Sequence, residues 1–246
     1  MNPIDKIHKD WFPIINLLYQ EPLVSLNENI LPNISFQPKK ENIFNVFQNP
    51  INNIKVVILG QDPYPTPGDA IGRAFAVSQN TKVPVSLRNI SIELQNEGFA
   101  DVDNKQLHES REWKTLEHWQ EQGVFLLNTA LTVETGKAGS HLKYWQEFTK
   151  RVVSHISVSQ PCVWLLWGKK SQDFIPYIVN NPFHVKGYDL DTIQNIPSNN
   201  DWNYILTAPH PAAEAYSGGK AGFFGCNHFI YTNRVLQNLK KTPIVW

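Results

Sequence analysis

The polar residues that can do chemistry in this sequence are few and grouped. Gln61, Asp62 and Tyr64 put an amide, a carboxylate and a phenol within four positions; Asn128 adds a second amide, Lys169 and Lys170 two cations, and His210 an imidazole. Carboxylates and imidazoles hold or move protons near neutral pH. Amides and phenols supply directed donors and acceptors that read a polar ligand. Each also has an ordinary reading: Asp62 as a turn cap, Asn128 as a strand-end cap, His210 as a core imidazole bonded to backbone. Their shared feature is placement, because each follows a short apolar run or, in the case of Asn128, lies within one.

The runs are Val56–Leu59, Val124–Leu131, Cys162–Trp167 and Tyr204–Thr207. Continuous apolar runs suit parallel strands covered on both faces, and the intervals between them are long enough for helices. The sequence therefore predicts an α/β single domain over residues 1–246, with a central four-stranded parallel sheet flanked by helices. Right-handed crossovers would bring all four strand ends to one edge, where open α/β sheets bind ligands. Gly60 frees the backbone after the first run, and Pro63 stiffens the turn beyond it. Upstream, Trp11, Phe12, Ile14, Ile15, Leu17 and Leu18 suggest an amphipathic helix, and the Asn- and Pro-rich region 20–50 reads as loops and short helices. Segment 180–202, with Asn180, Asn181, Pro182, Pro197, Ser198, Asn199 and Asn200, reads as a long surface connection.

Composition narrows the function classes. The chain has 22 Lys plus Arg against 22 Asp plus Glu, and 41% hydrophobic residues. That balance supports a sizeable core but no global field for a polyanion, so nucleic-acid binding would need a local patch or neutral phosphate contacts. No Gly-rich phosphate fingerprint follows any run, which disfavours a nicotinamide or ATP enzyme. Cys162 and Cys226 form neither a metal-ligand set nor a disulfide framework and fit a reducing compartment. With no signal-like or membrane-spanning stretch, the expectation is a soluble cytoplasmic protein.

Several blocks in order carry a resemblance. Gly60-Gln61-Asp62-Pro63-Tyr64, Phe75, Leu126-Leu127-Asn128 before Leu131-Thr132-Val133, His210-Pro211, Gly222-Phe223-Phe224-Gly225-Cys226 and His228-Phe229 together resemble the family-1 uracil-DNA glycosylases. The resemblance covers most of the chain from about residue 55 and reaches Thr242-Pro243-Ile244 near Trp246. It implies a monomeric DNA repair hydrolase that flips uracil out of single- or double-stranded DNA and cleaves its N-glycosidic bond, without metal or cofactor. Asp62 would position water and stabilise the oxocarbenium-like sugar, and His210 would hydrogen-bond the departing base. Asn128 would read uracil against cytosine, Tyr64 would exclude the thymine methyl, Phe75 would stack on the base, and Gln61 would shape the pocket.

The resemblance also implies DNA contacts. Val83-Pro84-Val85-Ser86-Leu87 resembles a proline-rich phosphate-binding loop with Ser86 as the contact, and Ser140-His141 another backbone-binding element. After His210 the chain departs from the family's Pro-Ser-Pro-Leu-Ser, reading Pro211-Ala212-Ala213-Glu214-Ala215-Tyr216-Ser217-Gly218-Gly219-Lys220-Ala221. The intercalating Leu is absent, and Glu214 near its place would repel phosphates if it faced them. Pro65 replaces the usual His after Tyr64, and Lys169 a usual Ser. Lys169, Lys170 and Lys220 are then candidates to replace hydroxyl contacts, and Tyr216 or the enlarged loop to serve as wedge. Three alternatives stay open: a glycosylase of altered lesion preference, a non-catalytic DNA-binding or processivity scaffold, and altered binding of a proteinaceous DNA-mimic inhibitor. A scaffold has no need for Asp62, Asn128 and His210 together.

Overall fold

Successive strand residues point to opposite faces, so a run buried at every position must be covered from both sides. The computed structural model of this chain describes residues 3–99, 110–186 and 201–246. Its strands are β1 (Phe36–Gln37), β2 (Val56–Gly60), β3 (Val124–Asn128), β4 (Val133–Glu134), β5 (Val163–Trp167), β6 (Phe183–Lys186) and β7 (Tyr204–Ala208). Strands β2, β3, β5 and β7 are buried at every residue. Together with β6 they form a wholly parallel sheet of order β3-β2-β5-β7-β6.

One face of the sheet presents Val57, Leu59, Phe125, Leu127, Trp164, Leu166 and Ile205 to helix Leu142–Ser159 and the N-terminal turns. The other presents Val56, Ile58, Val124, Leu126, Val163, Leu165 and Leu206 to helix α1 (Val85–Asn96) and the C-terminal helix His228–Asn238. Removing one such side chain from water stabilises by roughly 1.5–3 kcal/mol, which holds the strand ends to a fixed rim. Because the chain leaves β2 for β3 on one side and later returns for β5 on the other, a crevice opens above β2 and β5, where this architecture places ligands. A small antiparallel pair, β1 with β4, ties down the segment after β3.

Among the described residues the sheet has five strands, one more than the apolar runs predict. β6 pairs in parallel with β7 at the edge of the sheet, inside the segment expected to be a surface connection. Its sequence, Phe-His-Val-Lys, alternates and is too short to stand out from the Asn-Asn-Pro before it. Pro197, Ser198, Asn199 and Asn200 lie outside the described residues. The second run ends as a strand at Asn128, not Leu131. The expected N-terminal helix is instead three consecutive helical turns, Lys9–Trp11, Phe12–Ile15 and Asn16–Tyr19, with Phe12 exposed and Trp11, Ile14, Ile15 and Leu18 buried. Among the described residues no helix is long and apolar enough to cross a membrane.

Candidate active site

The turn after β2 is held by backbone from the turn after β3. Thr129 donates its N–H to the Gly60 carbonyl at 2.9 Å, and Ala130 donates to that of Gln61 at 3.0 Å. Gly60 is needed where it stands: a β-carbon there would lie 2.4 Å from Asn128 Oδ1 and 2.9 Å from Ala74 Cβ. Its absence lets the Asn128 amide stand over the β2 terminus, where the two residues are in register. Asn128 is buried and its amide makes no side-chain hydrogen bond with a described residue.

Asp62 is fixed from two directions. Its Oδ1 accepts from Gln61 Nε2 at 3.1 Å and its Oδ2 from the Gly139 N–H at 2.5 Å. Burial pushes the carboxyl above its ordinary value, while these two donors pull the other way without cancelling it. Tyr64 donates its hydroxyl to the Phe75 carbonyl at 3.3 Å and lies 2.9 Å from Ser86 Oγ. Burial raises that phenol to about 12, so it stays a neutral, oriented ring. Phe75 has a φ of +64°, in the left-handed region where a bulky residue is held only by its surroundings. Its ring lies 5.5 Å from Trp167, edge-on, and 5.8 Å from His210.

His210 follows β7. Ala212 donates its N–H to His210 Nδ1 at 3.2 Å, which leaves the ring proton on Nε2 as a donor. Burial lowers the pKa of the imidazole, so at neutral pH it is uncharged. Gly168, after β5, makes room for it: a β-carbon there would meet His210 Cβ at 2.9 Å. Asn89 on α1 donates to the Pro211 carbonyl at 2.8 Å and anchors the same turn.

These residues surround one cavity of about 220 Å³, lined by Gly60, Gln61, Asp62, Tyr64, Phe75, Ser86, Asn128 and His210 together with Pro63, Pro65, Ala70 and Arg73. A carboxylate, a neutral imidazole donor, an amide and an aromatic face in that volume can hold a flat heterocycle and stabilise opposite charges on either side of a breaking bond. A larger cavity of about 480 Å³, between Leu18, Leu31, Phe44 and Trp145 under the N-terminal turns, holds neither an imidazole nor a strand-end amide.

The family model described as the uracil DNA glycosylase superfamily matches residues 47–237. The chain is also 41% identical over 228 residues to a uracil-DNA glycosylase of Buchnera aphidicola subsp. Cinara cedri (strain Cc), covering 91% of this chain and 87% of that one. This chain belongs to the uracil-DNA glycosylase superfamily. An Escherichia coli (strain K12 / DH10B) relative is 37% identical over 218 residues, 87% of this chain and 81% of its own. Among solved structures, mimivirus uracil-DNA glycosylase superposes with a TM-score of 0.78 at 23% identity, covering 100% of this chain and 89% of that one. The Nitratifractor salsuginis structure gives 0.59 at 20%, covering 95% and 93%. Both share the fold.

In this superfamily member the residues expected to touch DNA divide into two groups. Ser86, Ser140 and His141 each have an internal partner. Ser86 is buried against Tyr64; Ser140 Oγ accepts the Glu134 N–H at 2.8 Å; His141, 3% exposed, lies 2.9 Å from Thr132 Oγ1. Burial also lowers the His141 pKa, with Glu134 acting in the opposite sense. Lys169, Lys170, Lys220 and Tyr216 are exposed, with Tyr216 at 91% and Lys169 paired to Asp173 at 2.5 Å. Glu214 does not face the surface at all but is buried. The sequence reading missed Gly139, Gly168 and Asn89, whose roles are backbone donation, close approach and remote anchoring. The only signal for the first two was a glycine near a strand end.

Proposed function

We propose that this chain hydrolyses the bond between uracil and deoxyribose in DNA, leaving an abasic site for base excision repair. The observation that carries this reading is the meeting of Asp62, Asn128 and His210, from three different strand ends, around one cavity sized for a pyrimidine. As the bond breaks, positive charge develops on the sugar and negative charge on the base. Asp62, ionised and aimed by Gly139 and Gln61, stabilises the sugar and holds the attacking water. His210 donates Nε2–H to the base oxygen that becomes anionic, and a neutral donor suits this because it need not be deprotonated first. Asn128 offers N–H₂ to O4 and its carbonyl to N3–H, a pattern that cytosine would invert. Tyr64, its hydroxyl held at Ser86 and Phe75, fills the space a 5-methyl group would need.

A base stacked in a duplex cannot enter this cavity, so the nucleotide is flipped out, as glycosylases that act on duplex DNA do. Tyr216, exposed on the turn after His210, is the group placed to fill the gap. Lys169, Lys170 and Lys220 supply charge to phosphates beside it, so binding weakens with salt. A DNA-mimicking inhibitor protein is a further expected partner, since a mimivirus relative of this fold has been crystallised in complex with UGI. The deciding experiment is uracil release from single- and double-stranded oligonucleotides at two salt concentrations. Release by the wild type and its loss in Asp62→Asn are expected; DNA binding without release would favour a scaffold.

A further inference from the structure

The turn after His210 is held from inside by a carboxylate. Glu214 lies in the short helix α2 (Ala213–Ser217) and is 2% exposed. Its Oε1 accepts the Phe223 N–H at 2.5 Å and the Phe224 N–H at 2.9 Å; its Oε2 accepts the Ala221 N–H at 2.9 Å and the Ser217 hydroxyl at 3.4 Å. Backbone amides converging on one point form the concave arrangement that captures free anions. Here the chain supplies its own anion, so those amides are occupied before any DNA phosphate arrives. Burial acts to raise the Glu214 pKa, but hydrogen bonds from Phe224, Ala221, Phe223 and Ser217 outweigh it and bring it below the ordinary value.

This anchor joins two surfaces. The helix opens with the Ala213 N–H donated to the His210 carbonyl at 2.9 Å. Two residues beyond Glu214 stands the exposed Tyr216, and Gly218 and Gly219 then turn the chain back with φ of +64° and +81°. On the other side, Phe223 packs edge-on to Trp167 at 5.3 Å, and Trp167 packs edge-on to Phe75 at 5.5 Å. One carboxylate thus links the loop that carries Tyr216 to the aromatic wall of the cavity.

We propose that Glu214 is a positioning residue for duplex DNA: by holding the Ala221, Phe223 and Phe224 amides, it keeps the turn folded with Tyr216 projecting to fill the gap left by the flipped nucleotide. The proposal rests on the glycosylase reading above. A single strand offers no stacked gap, so Glu214 matters for duplex substrates far more than for single strands.

The test compares wild type, Glu214→Gln, Tyr216→Ala and the double variant on single- and double-stranded oligonucleotides carrying uracil in one context. Glutamine turns an N–H₂ toward backbone donors, so Glu214→Gln is expected to lower the duplex-to-single-strand ratio of kcat/KM by about tenfold. Tyr216→Ala lowers the same ratio, and the double variant lowers it no further, because both changes remove one device. Should Glu214→Gln fail to fold, Ser217→Ala loosens the same turn without burying an unpaired group, and a loss of about threefold in the ratio is expected. An unchanged ratio, equal loss on both substrates, or additive losses in the double variant would each overturn the assignment. Wild type that released no uracil from either substrate would instead refute the glycosylase reading itself.

Discussion

Gly139 donates its backbone N–H to Asp62 Oδ2 at 2.5 Å, across 77 positions of sequence. This bond makes the aim of the Asp62 carboxylate a property of two loops, the one after β2 and the one after β4. The second loop is in turn tied by the β1–β4 pair and by the Ser140 hydroxyl, which accepts the Glu134 N–H. Asp62 is therefore aimed by backbone in a partly buried place that raises its pKa, a condition that favours reaction over stability.

Asp62→Asn separates those two effects. The pKa of Asp62 is raised, chiefly by burial, so its ionised form is disfavoured by folding and its contribution to stability declines as pH rises through the unfolded and then the folded value. At pH 7 the neutral isostere should abolish uracil release by about 10²–10³-fold while leaving urea stability equal or higher by about 1 kcal/mol. A marked loss of stability in Asp62→Asn would contradict this account.

The pH dependence of kcat/KM follows from Asp62 ionised and His210 neutral. Burial lowers His210 from 6.5 and raises Asp62 from 3.8, so both losses occur on acidification and the imidazole remains neutral below its usual midpoint. More than half of the plateau activity should persist at pH 6.5. Activity that falls as pH rises through the His210 midpoint, rather than as pH drops, would show that His210 works as a cation.

Gly168→Ala tests close approach without touching a polar group. The new β-carbon would meet His210 Cβ at 2.9 Å, and the φ of +89° strains any side chain there. Displacing the imidazole should lower kcat by about 10²-fold with little change in KM, and the strain should lower stability by roughly 1–3 kcal/mol. Steady-state kinetics with a urea titration reads both.

Ser86→Ala frees the Tyr64 hydroxyl from one of its two partners. With Tyr64 proposed to exclude the thymine methyl, loss of one hydrogen bond of about 1 kcal/mol should lower discrimination between uracil and thymine by about fivefold. Competing excision of uracil and mismatched thymine measures it. If phosphate affinity falls instead and discrimination stands, Ser86 turns outward when DNA binds.

Much of this fold could be read directly. Four buried runs became parallel strands because only helix-covered strands stay apolar at every position, and their polar exits met because parallel strands end on the same edge. β6 escaped because an edge strand of alternating residues looks like loop. Similarly, Phe75 could be named from its resemblance, but its positive φ could not, since tertiary contacts hold it there. The internal partners of Ser86, Ser140 and His141 were not legible, because a hydroxyl or imidazole in a loop looks the same in sequence whatever it meets.

The order of residues alone determined which chemical groups stand near the strand ends: Asp62 and His210 follow apolar runs and Asn128 lies within one, and strand alternation allows little freedom in where they emerge. Tertiary structure alone decided which way the polar side chains between those ends turn. Glu214 faces inward because backbone N–H groups at Ala221, Phe223 and Phe224 need an acceptor, and His141 because Thr132 lies behind it. Whether a polar group meets solvent or an unsatisfied backbone atom depends on what the rest of the chain leaves beside it, and a local sequence pattern carries no record of that.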